Sequence, residues 1–272
     1  MTNFSVTPLQ MISSFWVNRR LIKTLIKREV LGRYRGSVMG IVWSLFNPVF
    51  MLTIYTFVFS VVFKARWHDG SDSKIEFALV LFAGLIIFNL FSECINQAPV
   101  IIVANVNYVK KVIFPLEILP FVSLGSALFH ALVSLVVWMA TYILFFGVPP
   151  LTVILLPLVL LPLLFLILGV SWVLASLGVY LRDVSQLTGM AMTVLMFLSP
   201  IFYPISALPE GYRAFLEFNP IAPAINQLRD VLYWGQVPRI TVFITYLLIS
   251  IFVSCIGFMW FQKTRSGFAD VL

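Results

Sequence analysis

Six long apolar stretches confine this chain to one kind of surrounding. A hydrocarbon layer about 30 Å thick is crossed by about 20 apolar residues in a helix. Gly40–Phe63, Phe77–Ala98, Ile118–Phe146, Val153–Val179, Leu187–Tyr203 and Ile240–Gln262 meet or nearly meet that length. The expected fold is an all-α polytopic membrane protein of six transmembrane helices, with an N-terminal amphipathic interface helix and two short external amphipathic helices between spans five and six. Composition agrees. Apolar residues make up 61% and charged residues 11%, against about 45–50% and about 25% in soluble domains, and the mean hydropathy is +1.01. The longest stretches that cannot span, Met1–Met39 and Pro204–Pro238, fall below the roughly 50 residues of a small domain. The chain therefore reads as one transmembrane domain over 1–272. Chemistry that needs a folded aqueous domain, ATP hydrolysis above all, is expected from another chain.

The spans are not alike. The fifth has 17 residues and ends in Ser199-Pro200-Ile201-Phe202-Tyr203-Pro204, so it is expected to stop early and leave 204–238 as an external re-entrant gate segment. The third and fourth are joined through Gly147-Val148-Pro149-Pro150 as a tight hairpin. Lys and Arg in alternate flanks set the orientation. Arg19, Arg20, Lys23, Lys27, Arg28, Arg33, Arg35, Lys110, Lys111, Arg182, Lys263 and Arg265 lie on one side; Lys64, Arg66, Lys74, Arg213, Arg229 and Arg239 lie on the other. Twelve against six makes both termini cytoplasmic. No secretory signal peptide is expected, because the first apolar run begins near residue 38 and has full spanning length. The net charge of +7 clusters beside apolar spans, which points to anionic lipid headgroups rather than nucleic acid. Cys94 and Cys255 lie inside spans without CxxC spacing and read as small buried hydrophobes.

Three segments are neither span nor simple loop. Thr7-Pro8-Leu9-Gln10 has the pattern of a helix start. After it, Leu21, Ile22, Leu25, Ile26 and Val30 share one helical face, with Arg20, Lys23, Lys27 and Arg28 towards the other, the pattern of a helix in the membrane interface. This is a topology anchor or a basic collar for an anionic headgroup or partner. The run Asn105–Pro115, with Asn107, Tyr108, Lys110 and Lys111, is too long for a tight turn. It reads as a solvated basic loop or a short surface helix that docks a soluble partner. Beyond span five, Ile221, Ile225, Leu228 and Leu232 form a stripe, and Tyr212 and Phe215 give the preceding piece an apolar side. Two such helices would form a lid over a pathway or rest on lipid headgroups.

Buried chemistry is sparse. Glu93 is the one acid well inside a span, near Asn89, Asn96 and Gln97. An intramembrane carboxylate is a functional-site hypothesis because a charge in lipid costs several kcal/mol; a polar contact between subunits explains it equally well. Glu117, in the first turn of span three, is expected to complement the helix dipole. His68 and His130 stand isolated, and no metal site is expected. In span one, Trp43, Phe46, Phe50 and Phe57 lie on one stripe with Tyr55 and Phe59 beside it. The stripe is packing, lipid contact or a stacking surface for sugars.

Read together, these segments carry a family resemblance. The run Ile26–Gly40 (IKREVLGRYRGSVMG), followed by Trp43 and Asn47-Pro48, resembles the entry to span one of ABC-2 type permeases. It is nearest to the subfamily that exports O-antigen, other lipid-linked polysaccharides or teichoic acid. Phe114-Pro115-Leu116-Glu117-Ile118-Leu119-Pro120, Tyr180-Leu181-Arg182-Asp183-Val184, the Ser199–Pro204 run and Asn219-Pro220 fit in order, over nearly the whole chain. The resemblance implies a homodimer in the bacterial cytoplasmic membrane, paired with two copies of an ABC ATPase that binds the ATP and magnesium. This chain would then be a transport subunit, not an enzyme, with no cofactor of its own. Asn105–Pro115 would be the coupling helix and Pro209–Trp234 the external gate.

The expected cargo is an undecaprenyl-diphosphate-linked polysaccharide. Arg33 and Arg35, backed by Lys27 and Arg28, would meet the diphosphate, since guanidinium binds phosphate oxygens bidentately. The glycan would slide over the span-one aromatics. Alternatives are an exporter of teichoic acid, small hydrophobic drugs or lipids on the same scaffold, or an intramembrane transferase, for which no paired-carboxylate or His/Asp constellation is seen. An ion-driven transporter is disfavoured because Glu93 stands nearly alone.

Overall fold

The computed structural model describes residues 7–62, 74–111, 114–204, 211 and 219–272. His68, Lys64, Arg66, Arg213, Tyr212 and Phe215 lie outside the described residues, as do the side chains of Lys74, Lys110 and Lys111. The described residues contain helices and no strand. Helices α1 (Pro8–Val17) and α2 (Arg19–Arg33) precede α3 (Val42–Tyr55), which runs on as a π-helical turn over Thr56–Val62. Then come α4 (Lys74–Ile101), α5 (Val106–Lys111), α6 (Leu119–Phe146), α7 (Leu156–Tyr180) and α8 (Val184–Leu198). The last described elements are α9 (Ala222–Arg229), extended by a π turn over Asp230–Trp234, α10 (Ile240–Thr264) and α11 (Phe268–Val271).

Five of these helices, α3 with its extension, α4, α6, α7 and α10, are long and apolar enough to cross a membrane. At 15 residues, α8 spans about 22 Å, short of a full hydrocarbon layer. The expected end of span five at Tyr203 is corrected to Leu198. Ser199 is already extended at ψ 148°, and Pro200 has no N–H to continue the ladder.

α4 is the axial helix, packed by α3, α6, α7, α8 and α9. Its all-round apolar sequence is what a helix surrounded by others requires; Leu79, Val80, Leu81, Ala83 and Ile87 are fully buried. Two indoles fix the helices around it. Trp138 Nε1 of α6 donates to Leu79 O at 2.8 Å, and Trp172 Nε1 of α7 donates to Glu117 O at 3.1 Å. Buried tryptophan keeps its large apolar contact only when the N–H has an acceptor.

α7 and α10 pack along a seam of small residues. A side chain on Gly169 would run into the Ser254 backbone, and one on Gly257 into the Gly169 carbonyl. Gly178 meets the Pro99 carbonyl of α4 in the same way. Lipid offers no hydrophobic drive for helices to associate, so close backbone approach and van der Waals contact must supply it. Ser176 and Thr264 add a hydroxyl–hydroxyl bond of 2.6 Å on the same seam.

Two expectations are revised by packing. α2 does not merely lie at an interface: Ile22, Leu25 and Val30 are buried, α2 packs on α6, and Ile26 occupies the notch left by Gly125. The stripe Ile221, Ile225, Leu228 and Leu232, expected under a lid, is fully buried in the bundle, because α9 turns back against α4 and α7.

Replacing Gly169 by Ala is expected to lower the melting temperature of the detergent-purified protein, since overpacking typically costs about 1–3 kcal/mol. Gly189→Ala, where nothing lies within 4 Å, should leave it unchanged or higher.

Candidate functional site

α2, α4 and α6 each carry polar residues at whole-turn spacing, and packing aligns them. On α2 these are Glu29 and Arg33; on α4, Glu93 and Gln97; on α6, Ser123 and His130. The lower rung is closed. Gln97 Nε2 donates to Glu29 Oε1 at 2.9 Å, and Ser123 Oγ donates to Gln97 Oε1 at 2.6 Å. On the upper rung Arg33 Nη2 donates to Glu93 Oε1 at 2.5 Å. His130 Nδ1 lies 3.1 and 3.3 Å from the two Glu93 oxygens and 3.0 Å from Arg33 Nη1. Tyr34 OH sits 3.2 Å from His130 Nε2. The reading of Glu93 as nearly alone and of His130 as isolated is thus corrected. The helical spacing was visible in the sequence; which helix faces which was not. Tyr34, on the turn before α3, has its phenol pushed above its ordinary pKa, chiefly by burial, so it stays protonated at neutral pH.

This rung opens into a cleft of about 910 Å3 between α3, α4 and α6, lined among others by Arg33, Tyr34, Glu93, His130, Asn89 and Ser134. Its other wall is aromatic. Trp43 meets Phe46 edge-on at 5.3 Å, Phe46 stacks on Phe50 at 5.7 Å, and Tyr55 lines the cleft beyond them. The six expected channel aromatics therefore divide. Trp43, Phe46, Phe50 and Tyr55 face the cleft. Phe59 stacks on Phe77 and Phe202 at 5.7 Å each, and Phe57 is exposed outside the cleft lining.

The four cations expected at a headgroup divide too. Arg33 lines the cleft. Arg28 instead turns onto α5: its Nη1 donates to Tyr108 OH at 2.9 Å, and the guanidinium lies 6.0 Å from the ring centroid. Lys27 and Arg35 are exposed and do not line the cleft. In and beside α5, Tyr108 stacks on Phe114 at 4.3 Å, Asn105 Nδ2 caps Ile101 O at 2.8 Å, and Asn107 is exposed.

Two further polar knots hold the ends of the bundle. At one end Arg265 Nη1 pairs with Glu117 Oε2 at 2.5 Å, Arg265 Nη2 donates to Phe114 O at 2.7 Å, and Ser14 Oγ donates to Glu117 Oε1 at 3.1 Å. Glu117 thus joins α1 and the turn after α10 to the foot of α6, a larger role than the expected dipole partner. At the other end Arg229, counted from sequence among the basic flank residues of the second side, is 3% exposed. Its guanidinium donates to the carbonyls of Val80, Pro200 and Ile201, and Gly84 leaves it room. Beside it Asn219 Nδ2 donates to Leu198 O and Ser199 Oγ, while its Oδ1 caps Ile221 N and Ala222 N. Asn219 thus supplies a donor to the last carbonyl of α8, and Arg229 supplies donors to the carbonyls of Pro200 and Ile201 just beyond it. Among the described residues no three His, Cys, Asp or Glu side chains gather as a metal site.

Residues 20–233 match the family model described as ABC-2 type transporter. The chain belongs to the ABC-2 type transporter family. This ABC-2 permease is 25% identical over 264 residues to the O-antigen export system permease protein RfbA of Myxococcus xanthus, covering 96% of this chain and 99% of the relative. It is 23% identical over 253 residues to RfbA of Klebsiella pneumoniae, covering 93% and 95%. To the polysialic acid transport protein KpsM of Escherichia coli it is 24% identical over 232 residues, covering 83% and 86%.

The Glu117–Arg265 pair is 9% and 11% exposed, and removing one partner of such a pair typically costs about 3–5 kcal/mol. Glu117→Ala is expected to lower the melting temperature sharply. Adding Arg265→Met should recover part of the loss, giving a double-mutant coupling that a surface pair would lack.

Proposed function

We propose that this chain is the permease subunit of an exporter that moves a lipid-linked, O-antigen-like polysaccharide across the bacterial cytoplasmic membrane. Its cargo is carried on undecaprenyl diphosphate, and ATP hydrolysis in separate ATPase subunits drives it. The printed names of the relatives, O-antigen export and polysialic acid transport, support the polysaccharide. The observation that carries the rest is one cleft with two walls, Arg33 at its mouth and Trp43, Phe46 and Phe50 along its side. A lipid-linked glycan needs both: a cation for its diphosphate, and flat apolar rings on which successive sugars slide, whatever their hydroxyl pattern.

The same reading accounts for faces that the bundle leaves bare. Leu45, Phe46, Val49 and Phe50 on α3, with Met190, Val194 and Phe197 on α8, are exposed. In a homodimer these faces would meet a second copy and enclose the route. The twelve-to-six bias of basic residues supports cytoplasmic termini; Arg229 is one of the six, and its burial in the bundle leaves the bias in the same direction. α5 would then dock the ATPase, which holds the ATP and magnesium. Arg28 links α5 to α2 through Tyr108, and Arg33 stands little more than one turn further along that helix. A push on α5 would reach the headgroup site through a single rigid element.

Cells carrying Arg33→Ala together with Arg35→Ala are expected to lose most surface glycan at normal protein levels; undiminished glycan would remove the diphosphate role. Separately, Lys110→Glu with Lys111→Glu should reduce the ATPase that co-purifies with tagged protein, while melting temperature stays unchanged.

A further inference from the structure

The Arg33–Glu93 pair differs from the Glu117–Arg265 pair in a way that matters for the cleft. Glu117 and Arg265 are sealed, with side chains 9% and 11% exposed. Arg33 is 44% exposed and Glu93 22%, and both line the cleft. The guanidinium fork that Glu93 occupies therefore faces the space a ligand would enter. Carboxylate and phosphate compete for that fork, because both present paired anionic oxygens to its N–H groups.

Glu93 also has a second seat. His130 Nδ1 lies within 3.3 Å of both its oxygens, yet the same nitrogen lies 3.0 Å from Arg33 Nη1. A ring nitrogen carries either a proton or a free lone pair. With a lone pair it accepts from Arg33; with a proton it donates to Glu93; it cannot serve both. Tyr34 OH, at 3.2 Å from Nε2, either donates or accepts and so satisfies the ring in both cases. The lower rung, Glu29–Gln97–Ser123, offers no such choice.

We propose that Glu93 is a built-in stand-in for the anionic headgroup: it neutralises Arg33 while the cleft is empty and gives way, onto His130, when a lipid diphosphate takes the guanidinium. This rests on the reading of Arg33 as the diphosphate ligand and adds a selectivity residue to it. A lipid without a phosphate cannot displace Glu93, so the cleft admits only a cargo whose charge matches or exceeds that of the carboxylate.

The test uses the purified full-length chain in phosphatidylcholine nanodiscs, with farnesyl diphosphate as probe and farnesol as the uncharged control. Glu93→Gln is isosteric and frees the guanidinium, so farnesyl diphosphate should bind about tenfold tighter with farnesol binding unchanged. His130→Leu, which has no donor, removes the second seat and should weaken farnesyl diphosphate binding at least threefold. Opposite signs from two touching residues are not expected of a merely structural cluster. Arg33→Gln should abolish diphosphate binding with or without Glu93→Gln. Unchanged or weaker binding by Glu93→Gln, with Arg33→Gln still losing it, overturns the stand-in and leaves the Arg33 reading intact. Wild-type binding by Arg33→Gln overturns the reading beneath it. Should Glu93→Gln fail to fold, tighter binding by His130→Leu would overturn the proposal by itself.

Discussion

Inside a bilayer there is no water to take up a stranded polar group, and no hydrophobic gain when one apolar helix leaves lipid for another. Both facts act on this chain together. Helices meet where glycine and serine let backbones touch, as at Gly169, Ser254 and Gly257, and where a polar side chain finds partners on a neighbouring segment. Arg229 is the clearest case. α8 ends too soon, the chain just beyond it leaves carbonyls outside any helical ladder, and one buried guanidinium reaches Pro200, Ile201 and Val80 at once. That contact ties the run after α8, the buried α9 and the axial helix together.

The three polar knots divide the work. Glu117 with Arg265 and Ser14 closes the end at which α1 meets the turn after α10. Arg229 with Asn219 closes the other end. Between them the Arg33–Glu93–His130–Tyr34 rung is left open to a cleft. A sealed ion pair in low dielectric is held firmly because separating it leaves a charge without solvent. A half-exposed pair is within reach of a competing ion. The ends of this bundle are thus sealed and the middle rung is left accessible.

How much was legible in the chain depended on the range of the interaction concerned. The apolar stretches, the hairpin at Gly147–Pro150 and the early stop of span five follow from local chemistry: residue count against bilayer thickness, a φ of 84° at Gly147, and a proline without its N–H. The amphipathic α2 and the α9 stripe were also visible, but their partners were not, since a helical face says what it needs and not who supplies it. The burial of Arg229 was hidden for the same reason. A basic residue between prolines outside a span looks solvated until the chain is seen to fold back over Gly84.

The sequence by itself determined that this is a membrane-embedded helical bundle, where its helices break, and which residues of α2, α4 and α6 share a face, because those properties depend on hydropathy and a 3.6-residue period. Only the tertiary structure decided that Arg33 meets Glu93 and His130 across three helices, that Arg28 belongs to α5 rather than to the cleft, and that the aromatic stripe of α3 splits between a cavity wall and an interior stack. Each of those pairings joins residues 18 or more positions apart. Contacts at that distance are set by how helices cross, and crossing is governed by the small residues and buried bonds of the whole bundle, not by any stretch of the chain read alone.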